Sequence, residues 1–254
     1  MEIELPVVAS LTTSPTRIHK MYSTLKSIVS QSRPPDRVIL NIPYMFKKTG
    51  ERYTIPRFME EFPTVYINWV EEDMGPVTKL VPTLALMKKD AYIWIVDDDQ
   101  DYLRGELAYM LSKAEKTKIP TVYCLSGIHS DGMDMRIASR NCVLDVFEAY
   151  AGVLVRKSMF EDDFSEYISR CIKHDVCRIS DDLMVSMYLK EKGVDIERVG
   201  GVFVNLWLHW NLGGVLEYGN GPDALHNSTI AKSTIERYKK ALPVLYEILN
   251  EVCR

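Results

Sequence analysis

Apolar residues in this chain keep two rhythms, a short unbroken run and a three-to-four-residue spacing, and the alternation of the two outlines its elements. Pro6 to Leu11 is a short apolar run that reads as a strand, followed by the polar turn Thr12-Thr13-Ser14-Pro15-Thr16-Arg17. From Thr16 to Gln31 the residues Ile18, Met21, Tyr22, Leu25, Ile28 and Val29 recur at helical spacing, and Pro34-Pro35 closes that helix before a second strand over Arg37 to Ile42. A β-α-β unit of this kind predicts parallel strands. Pro43 to Pro63 is charged and broken by glycine and proline, which suits a long loop with one helical turn. Thr64 to Val70 predicts a third strand, Glu71 to Thr78 a loop and Lys79 to Met87 a helix.

The pattern continues with a helix over Leu103 to Lys116 and a strand over Thr121 to Leu125. Ser126 to Asn141 reads as a hairpin or a loop over a crevice, Tyr150 to Val155 as a strand, and a short helix begins at Lys157. Ser180-Asp181-Asp182-Leu183 opens a helix to Lys192 that Gly193 stops, with Ser180 as its cap. Ile196 to Leu208 predicts one or two strands, and Ser228 to Val252 a terminal helix kinked at Pro243. The expected fold is therefore α/β, a mostly parallel central sheet flanked by helices, in one domain with no repeat or linker to divide it.

One stretch carries chemistry as well as structure. Ala91 to Val96 is a buried-strand run, and Asp97-Asp98-Asp99 begins where it stops. Carboxylates at the carboxyl end of a parallel strand face the crevice where such sheets bind ligands. If the chain stays extended, Asp97 and Asp99 point to one side and Asp98 to the other. Adjacent like charges repel, so a hard divalent cation between Asp97 and Asp99 is one explanation and a plain polar turn the other.

Composition narrows the partners. The 254 residues are 46% hydrophobic and 26% charged with a net charge of -4, enough for a sizeable core and without the general basic surface that nucleic acid or an anionic membrane would need. The five cysteines, Cys124, Cys142, Cys171, Cys177 and Cys253, are odd in number and lack a C-x-x-C pair, which argues against a disulfide framework or zinc site and suits a reducing compartment. The first residues carry no signal-peptide pattern, and no window approaches a membrane span, so a cytoplasmic location is expected. Asn227-Ser228-Thr229 matches a glycosylation sequon, read here as a chance match.

Four segments in order, Val8-Ala9-Ser10-Leu11-Thr12-Thr13-x-Pro15-x-Arg17-Ile18, Gly75-Pro76-Val77-Thr78-Lys79-Leu80, Val96-Asp97-Asp98-Asp99 and Ser180-Asp181-Asp182-Leu183, resemble the nucleotide-sugar-dependent glycosyltransferases of the GT-A fold. More narrowly, they resemble the small glycosyltransferases of large DNA viruses that include enzymes glycosylating chlorovirus capsid protein, which would put the protein in a host cytoplasm. The resemblance spans roughly residues 6 to 210. It implies a nucleotide-binding half over residues 1–101, an acceptor half over 102–227 and a C-terminal helix over 228–254.

The resemblance also assigns roles. Asp99, with Asp97 directly or through water, would hold Mn²⁺ or Mg²⁺, the oxygen donors suiting either ion and the family favouring Mn²⁺. Thr12 and Arg17 would cradle the nucleotide, although they also suit a turn and a helix start. Lys79 would approach the diphosphate unless it is only a solvated lysine. Asp73 and Asp98 are further candidates for contacts to the nucleotide or sugar. Asp182, with Asp181 beside it, would be the general base, kept ionised by the helix dipole; the same acids also suit a first turn. His226 is the candidate third metal ligand and His209 the alternative, while Trp207 and Trp210 would stack on an acceptor sugar or pack in the core. The implied activity is metal-dependent transfer of a sugar from a UDP- or GDP-sugar to a hydroxyl of a glycan or glycoprotein, with inversion. A sugar nucleotidyltransferase and a non-catalytic sugar- or nucleotide-binding module are the other readings.

Overall fold

Every apolar run before Asp97 forms a strand. The computed structural model describes residues 5–131, 134–137, 142–143, 145–199 and 229–253. In it β1 (Val7–Thr12), β2 (Arg37–Pro43), β3 (Val65–Val70) and β4 (Tyr92–Ile95) pair in parallel, with α1 (Tyr22–Val29) and α2 (Val81–Leu86) in the crossovers. The two long helices expected there are shorter than their apolar periodicity, because each begins as a 3₁₀ turn, Ile18–Lys20 before α1 and Gly75–Lys79 before α2. Gly75 permits the second turn: its φ is +74°, and an added Cβ would stand 3.0 Å from the Arg178 carbonyl oxygen.

After the acids come α3 (Glu106–Ala114), β5 (Thr121–Cys124), the hairpin of β6 (Gly127–Asp131) and β7 (Asp134–Ile137), and the short strands β8 (Cys142–Val143) and β9 (Val146–Phe147). Strand β10 (Val153–Arg156) follows, then α4 (Phe164–Cys171), α5 (Asp175–Arg178), α6 (Asp181–Glu191), β11 (Asp195–Arg198) and α7 (Thr229–Val252). Helix α7 continues through Pro243. Among the described residues the central sheet has eight strands in the order β3-β2-β1-β4-β10-β5-β11-β8, and β6, β7 and β9 form a separate small sheet.

Six of those eight strands share one direction. Strand β10 is antiparallel to both β4 and β5, and β8 is antiparallel to β11. The sequence reading starts the β10 strand at Tyr150, but residues Ala149–Ala151 form a 3₁₀ turn and Gly152, at φ +81°, redirects the chain before Val153.

Alternation along the strands loads both faces of the sheet. Trp94 and Val96 pack with α1 and α3 residues such as Leu25, Ile28 and Leu107, whereas Ile93 and Ile95 pack with Val77, Leu80, Tyr167, Leu183 and Leu245. The sheet is thus covered on both sides, and its polar chemistry is confined to the strand ends. Among the described residues no helix is long and apolar enough to cross a membrane.

Candidate active site

The acidic turn begins two residues after β4 ends, so the extended chain that would send Asp97 and Asp99 to one side does not continue through it. Each carboxylate instead meets a different partner. Asp97 Oδ1 accepts from Lys79 Nζ at 2.6 Å. Asp98, with only 1% of its side chain exposed, accepts from the Thr13 hydroxyl and from Arg17 Nη2 at 2.9 Å. Asp99 is half exposed and receives Arg17 Nη1 at 3.4 Å and the Gln100 amide at 3.3 Å. Burial raises the Asp98 carboxyl above the usual range, while Thr13 and Arg17 pull it back.

Arg17 reaches the acids at this strand end, whereas Thr12 does not meet them. The Thr12 hydroxyl donates to the Asn41 carbonyl at 2.8 Å, which ties the end of β1 to β2. Its neighbour Thr13, quoted in the motif but given no role, is the residue that touches the acids. Tyr53 adds a second unforeseen contact, its hydroxyl donating to the Thr13 carbonyl at 2.9 Å.

Lys79 is not a solvated lysine. Its ammonium lies 2.6 Å from Asp97 and 3.0 Å from Asp181 Oδ2, with only 7% of the side chain exposed. Burial opposes the charge, but Asp181 and Asp97, with Asp182 beyond them, outweigh it and hold the ammonium well above its usual pKa. The backbone beneath it is fastened too. Ser10 Oγ donates to the Lys79 carbonyl, and Ser10, Thr83 and Asn41 form a buried network with Asn41 Nδ2 2.8 Å from Thr83 Oγ1. Satisfied buried polar groups of this kind fix geometry.

Asp181 and Asp182 stand in the first turn of α6, as expected, but Ser180 does not cap it: its hydroxyl donates to the Val176 carbonyl at 2.7 Å. Asp182 Oδ2 accepts the Ala149 N–H at 3.2 Å, and Oδ1 is buried with no partner among the described residues. A cavity of about 10 Å³ bordered by Lys79, Asp181, Asp182 and Phe147 adjoins it, at the lower limit for one water molecule. The helix dipole is not the leading influence on Asp182. Burial first, and the neighbouring charge of Asp181 second, push its carboxyl well above the usual range. A dipole acts over one exposed turn, and here desolvation and a like charge exceed it. Helix α7 closes this side with the buried Tyr238, whose hydroxyl is raised by burial and then by Asp182 and Asp181.

Asp73 has both oxygens in use. They accept the Lys47 and Gly75 amides, each at 2.8 Å, and Arg178 lies 3.3 Å from Oδ1, so the side chain braces the loops beside the site. Next to that brace, a groove of about 420 Å³ lined by Tyr44, Met45, Arg52, Tyr53, Trp69 and Glu71 opens at the ends of β2 and β3. The Tyr44 and Trp69 rings stack at 5.5 Å and 12°, and Tyr53 connects the groove to Thr13.

Could the acids hold a divalent cation? Among the described residues no group of three or more His, Cys, Asp or Glu is assembled for a metal. His226, His209, Trp207 and Trp210 lie outside the described residues. Asp97 and Asp99 are nevertheless open, at 31% and 51% of side-chain exposure, and Lys79 occupies only one Asp97 oxygen. Five carboxyl groups, Asp97, Asp98, Asp99, Asp181 and Asp182, face two cationic side chains, Arg17 and Lys79. Hard oxygen donors with excess negative charge suit Mg²⁺ or Mn²⁺, which keep waters and need one or two carboxylates when a ligand's phosphates complete the shell.

No protein-family model matches the sequence, and no curated protein matches it. Among solved structures, S. aureus TarS in complex with UDP is 11% identical, with a TM-score of 0.49 over 76% of this chain and 57% of that one. The mannosyltransferase PcManGT from Pyrobaculum calidifontis, in complex with GDP-Man and Mn²⁺, is 14% identical, with a TM-score of 0.48 over 99% of this chain and 76% of that one. This chain therefore spans 57% of the length of the TarS chain it matches.

Proposed function

We propose that this protein is a metal-dependent glycosyltransferase of the GT-A type, moving a sugar from a nucleoside diphosphate to a hydroxyl of a glycan or glycoprotein. The observation that supports it is one contact set: Lys79 bridges Asp97, at the end of β4, and Asp181, at the start of α6, at 2.6 and 3.0 Å. A site for the donor phosphates and a site for a base thus share one ammonium.

Asp97, only one of whose oxygens meets Lys79, and the half-exposed carboxylate of Asp99 would hold the Mn²⁺ or Mg²⁺, and His226 remains the third ligand suggested by the family resemblance. When bound, such an ion stabilises the negative charge that develops on the departing diphosphate. Arg17 orients the phosphates, since its guanidinium already spans Asp98 and Asp99 and is half exposed. The nucleoside lies toward the aromatic groove. Adjacent strands are about 5 Å apart, so the groove at β2 and β3 is about 10 Å or more from Asp97, a nucleoside's reach from its diphosphate. Thr12, whose hydroxyl proton is committed to the Asn41 carbonyl, can still accept from the base or ribose on the way.

The Asp181–Asp182 pair takes the acceptor proton as the hydroxyl oxygen attacks the anomeric carbon from the face opposite the leaving group, which inverts the configuration. Asp182 can take the proton only in its ionised form. Lys79 serves as the fixed counter-charge of both ends and keeps their carboxylates from repelling one another. Asp73 positions the loop and makes no donor contact.

Calorimetric titration with a panel of UDP-, GDP-, CDP- and dTDP-sugars, with and without Mn²⁺, tests the reading directly. Metal-dependent binding of at least one of them, followed by release of the nucleoside diphosphate on adding an acceptor, is expected. Binding without any transfer or donor hydrolysis would leave a binding module, release of pyrophosphate would indicate nucleotidyl transfer, and no metal-dependent binding at all would refute the proposal.

A further inference from the structure

The hydroxyl of Tyr102 ties the acidic turn to the turn at Ala149–Ala151, without charge. The Asp97 N–H donates to it at 2.7 Å, and it donates in turn to the Tyr150 carbonyl at 3.2 Å. The preceding residue, Ala149, donates its N–H to Asp182 Oδ2 at 3.2 Å. The acidic turn is thereby connected to the backbone that holds the buried carboxyl of Asp182.

Tyr102 is fixed at its other end as well. Its own N–H donates to Ser27 Oγ at 3.0 Å, and its ring meets Trp94 edge-on at 5.0 Å and 70°. Only 6% of the residue is exposed, so the ring has no room to swing. Gly152 lets the 149–151 turn come this close: at φ +81°, an added Cβ there would stand 2.8 Å from Trp94 Nε1. A hydroxyl that accepts from one loop and donates to another sets a distance between them, which packing alone does less sharply.

We infer that Tyr102 is a positioning residue, its hydroxyl holding Asp97 at a set distance from Asp182 so that donor and acceptor ends act as one unit. This rests on the glycosyltransferase reading of the site. Misplaced reacting groups cost rate more than affinity, so the hydroxyl's removal acts on turnover.

Tyr102→Phe keeps the ring on Trp94 and removes only the hydroxyl's hydrogen bonds, to the Asp97 N–H and to the Tyr150 and, at 3.5 Å, Asp97 carbonyls. With the donor found by the titration above, kcat is expected to fall by about tenfold or more while the sugar-nucleotide KM stays within about twofold. The Tyr102→Phe/Asp182→Asn double variant is expected to be about as slow as Asp182→Asn alone, because both act on one unit. Ile168→Val, a core change on α4 away from the site, is the control for stability. The inference is overturned if kcat is unchanged, if Ile168→Val at equal Tm loss slows turnover as much, or if the two substitutions are additive. Should the protein neither transfer nor hydrolyse any sugar nucleotide, the glycosyltransferase reading fails by itself. Amide spectra of Tyr102→Phe then decide: shifts at Ala149 and Asp182 support the link, and their absence refutes it.

Discussion

Lys79 reaches across the end of the sheet to Asp97, Nζ to Oδ1 at 2.6 Å, and does so from a side chain with 7% of its surface exposed. An ammonium that buried, shared between Asp97 and Asp181, is stable only while its acids are present, and its removal strands them, Asp181 most of all. Lys79→Met should therefore lower stability by about 3 kcal/mol, read by chemical denaturation, and abolish transfer. The variant Lys79→Met/Asp97→Asn/Asp181→Asn, which neutralises both acids the ammonium meets, should recover much of the stability and none of the activity. A Lys79→Met protein as stable as the wild type would show that the pair is not needed.

Asp182 carries a raised carboxyl pKa through burial and the charge of Asp181, and a base works only when deprotonated. The acid limb of kcat/KM is thus expected well above the usual carboxylate range of about 4. Asp182→Asn should remove that limb and slow transfer by about 100-fold or more. If the limb persists in Asp182→Asn and disappears in Asp181→Asn, Asp181 is the base.

Neighbours in the acidic turn should separate cleanly. Asp99 is half exposed, and Asp98 is buried against Thr13 and Arg17. Asp99→Asn is expected to weaken Mn²⁺-dependent donor binding by about tenfold or more with Tm unchanged. Asp98→Asn should instead lower Tm by breaking its link to Arg17. Calorimetry and thermal melts of the pair check this, and equal effects on both quantities would refute the division.

Glu106 introduces a pH dependence of stability remote from the acids. Burial pushes its carboxyl from 4.5 up to about 8, opposed only by the Leu103 N–H. The folded chain then keeps a proton that the unfolded chain releases, so the stability this group contributes is full below pH 4.5 and declines as pH rises to about 8. Glu106→Gln should flatten that decline, with a gain at pH 8 of up to about 4 kcal/mol in urea melts. A wild-type curve that is already flat from pH 5 to 8 would contradict it.

Gly152 has no room for a side chain. Its φ is +81°, and a Cβ would lie 2.6 Å from Glu106 Oε1 and 2.8 Å from Trp94 Nε1. Gly152→Ala should cost at least about 2 kcal/mol in denaturant, and an unaffected variant would mean that the turn repacks freely.

Strands β1, β2, β4 and β5 are legible in the sequence because strands covered on both faces must be apolar throughout, and β3, at the sheet edge with Tyr66 and Trp69 exposed, is legible from its β-branched and aromatic residues. Helix α6 is legible for a similar reason, with acids in its first turn and Gly193 at its end. Strand β10 is different. Its apolar run is visible, but its antiparallel place between β4 and β5 depends on the turn at Ala149–Ala151 and on which strand edges remain open when it folds. Local spacing carries no information about that.

The same division runs through the site. The chain order alone puts carboxylates at the mouth of the sheet and at the start of a helix, since both follow from where an apolar run stops. It does not say that Asp97 meets Lys79, that Asp98 turns inward to Thr13, or that burial and Asp181 raise the Asp182 carboxyl. Those outcomes depend on neighbours far away in sequence and on how much water they exclude, and only folding brings the neighbours together and dries them.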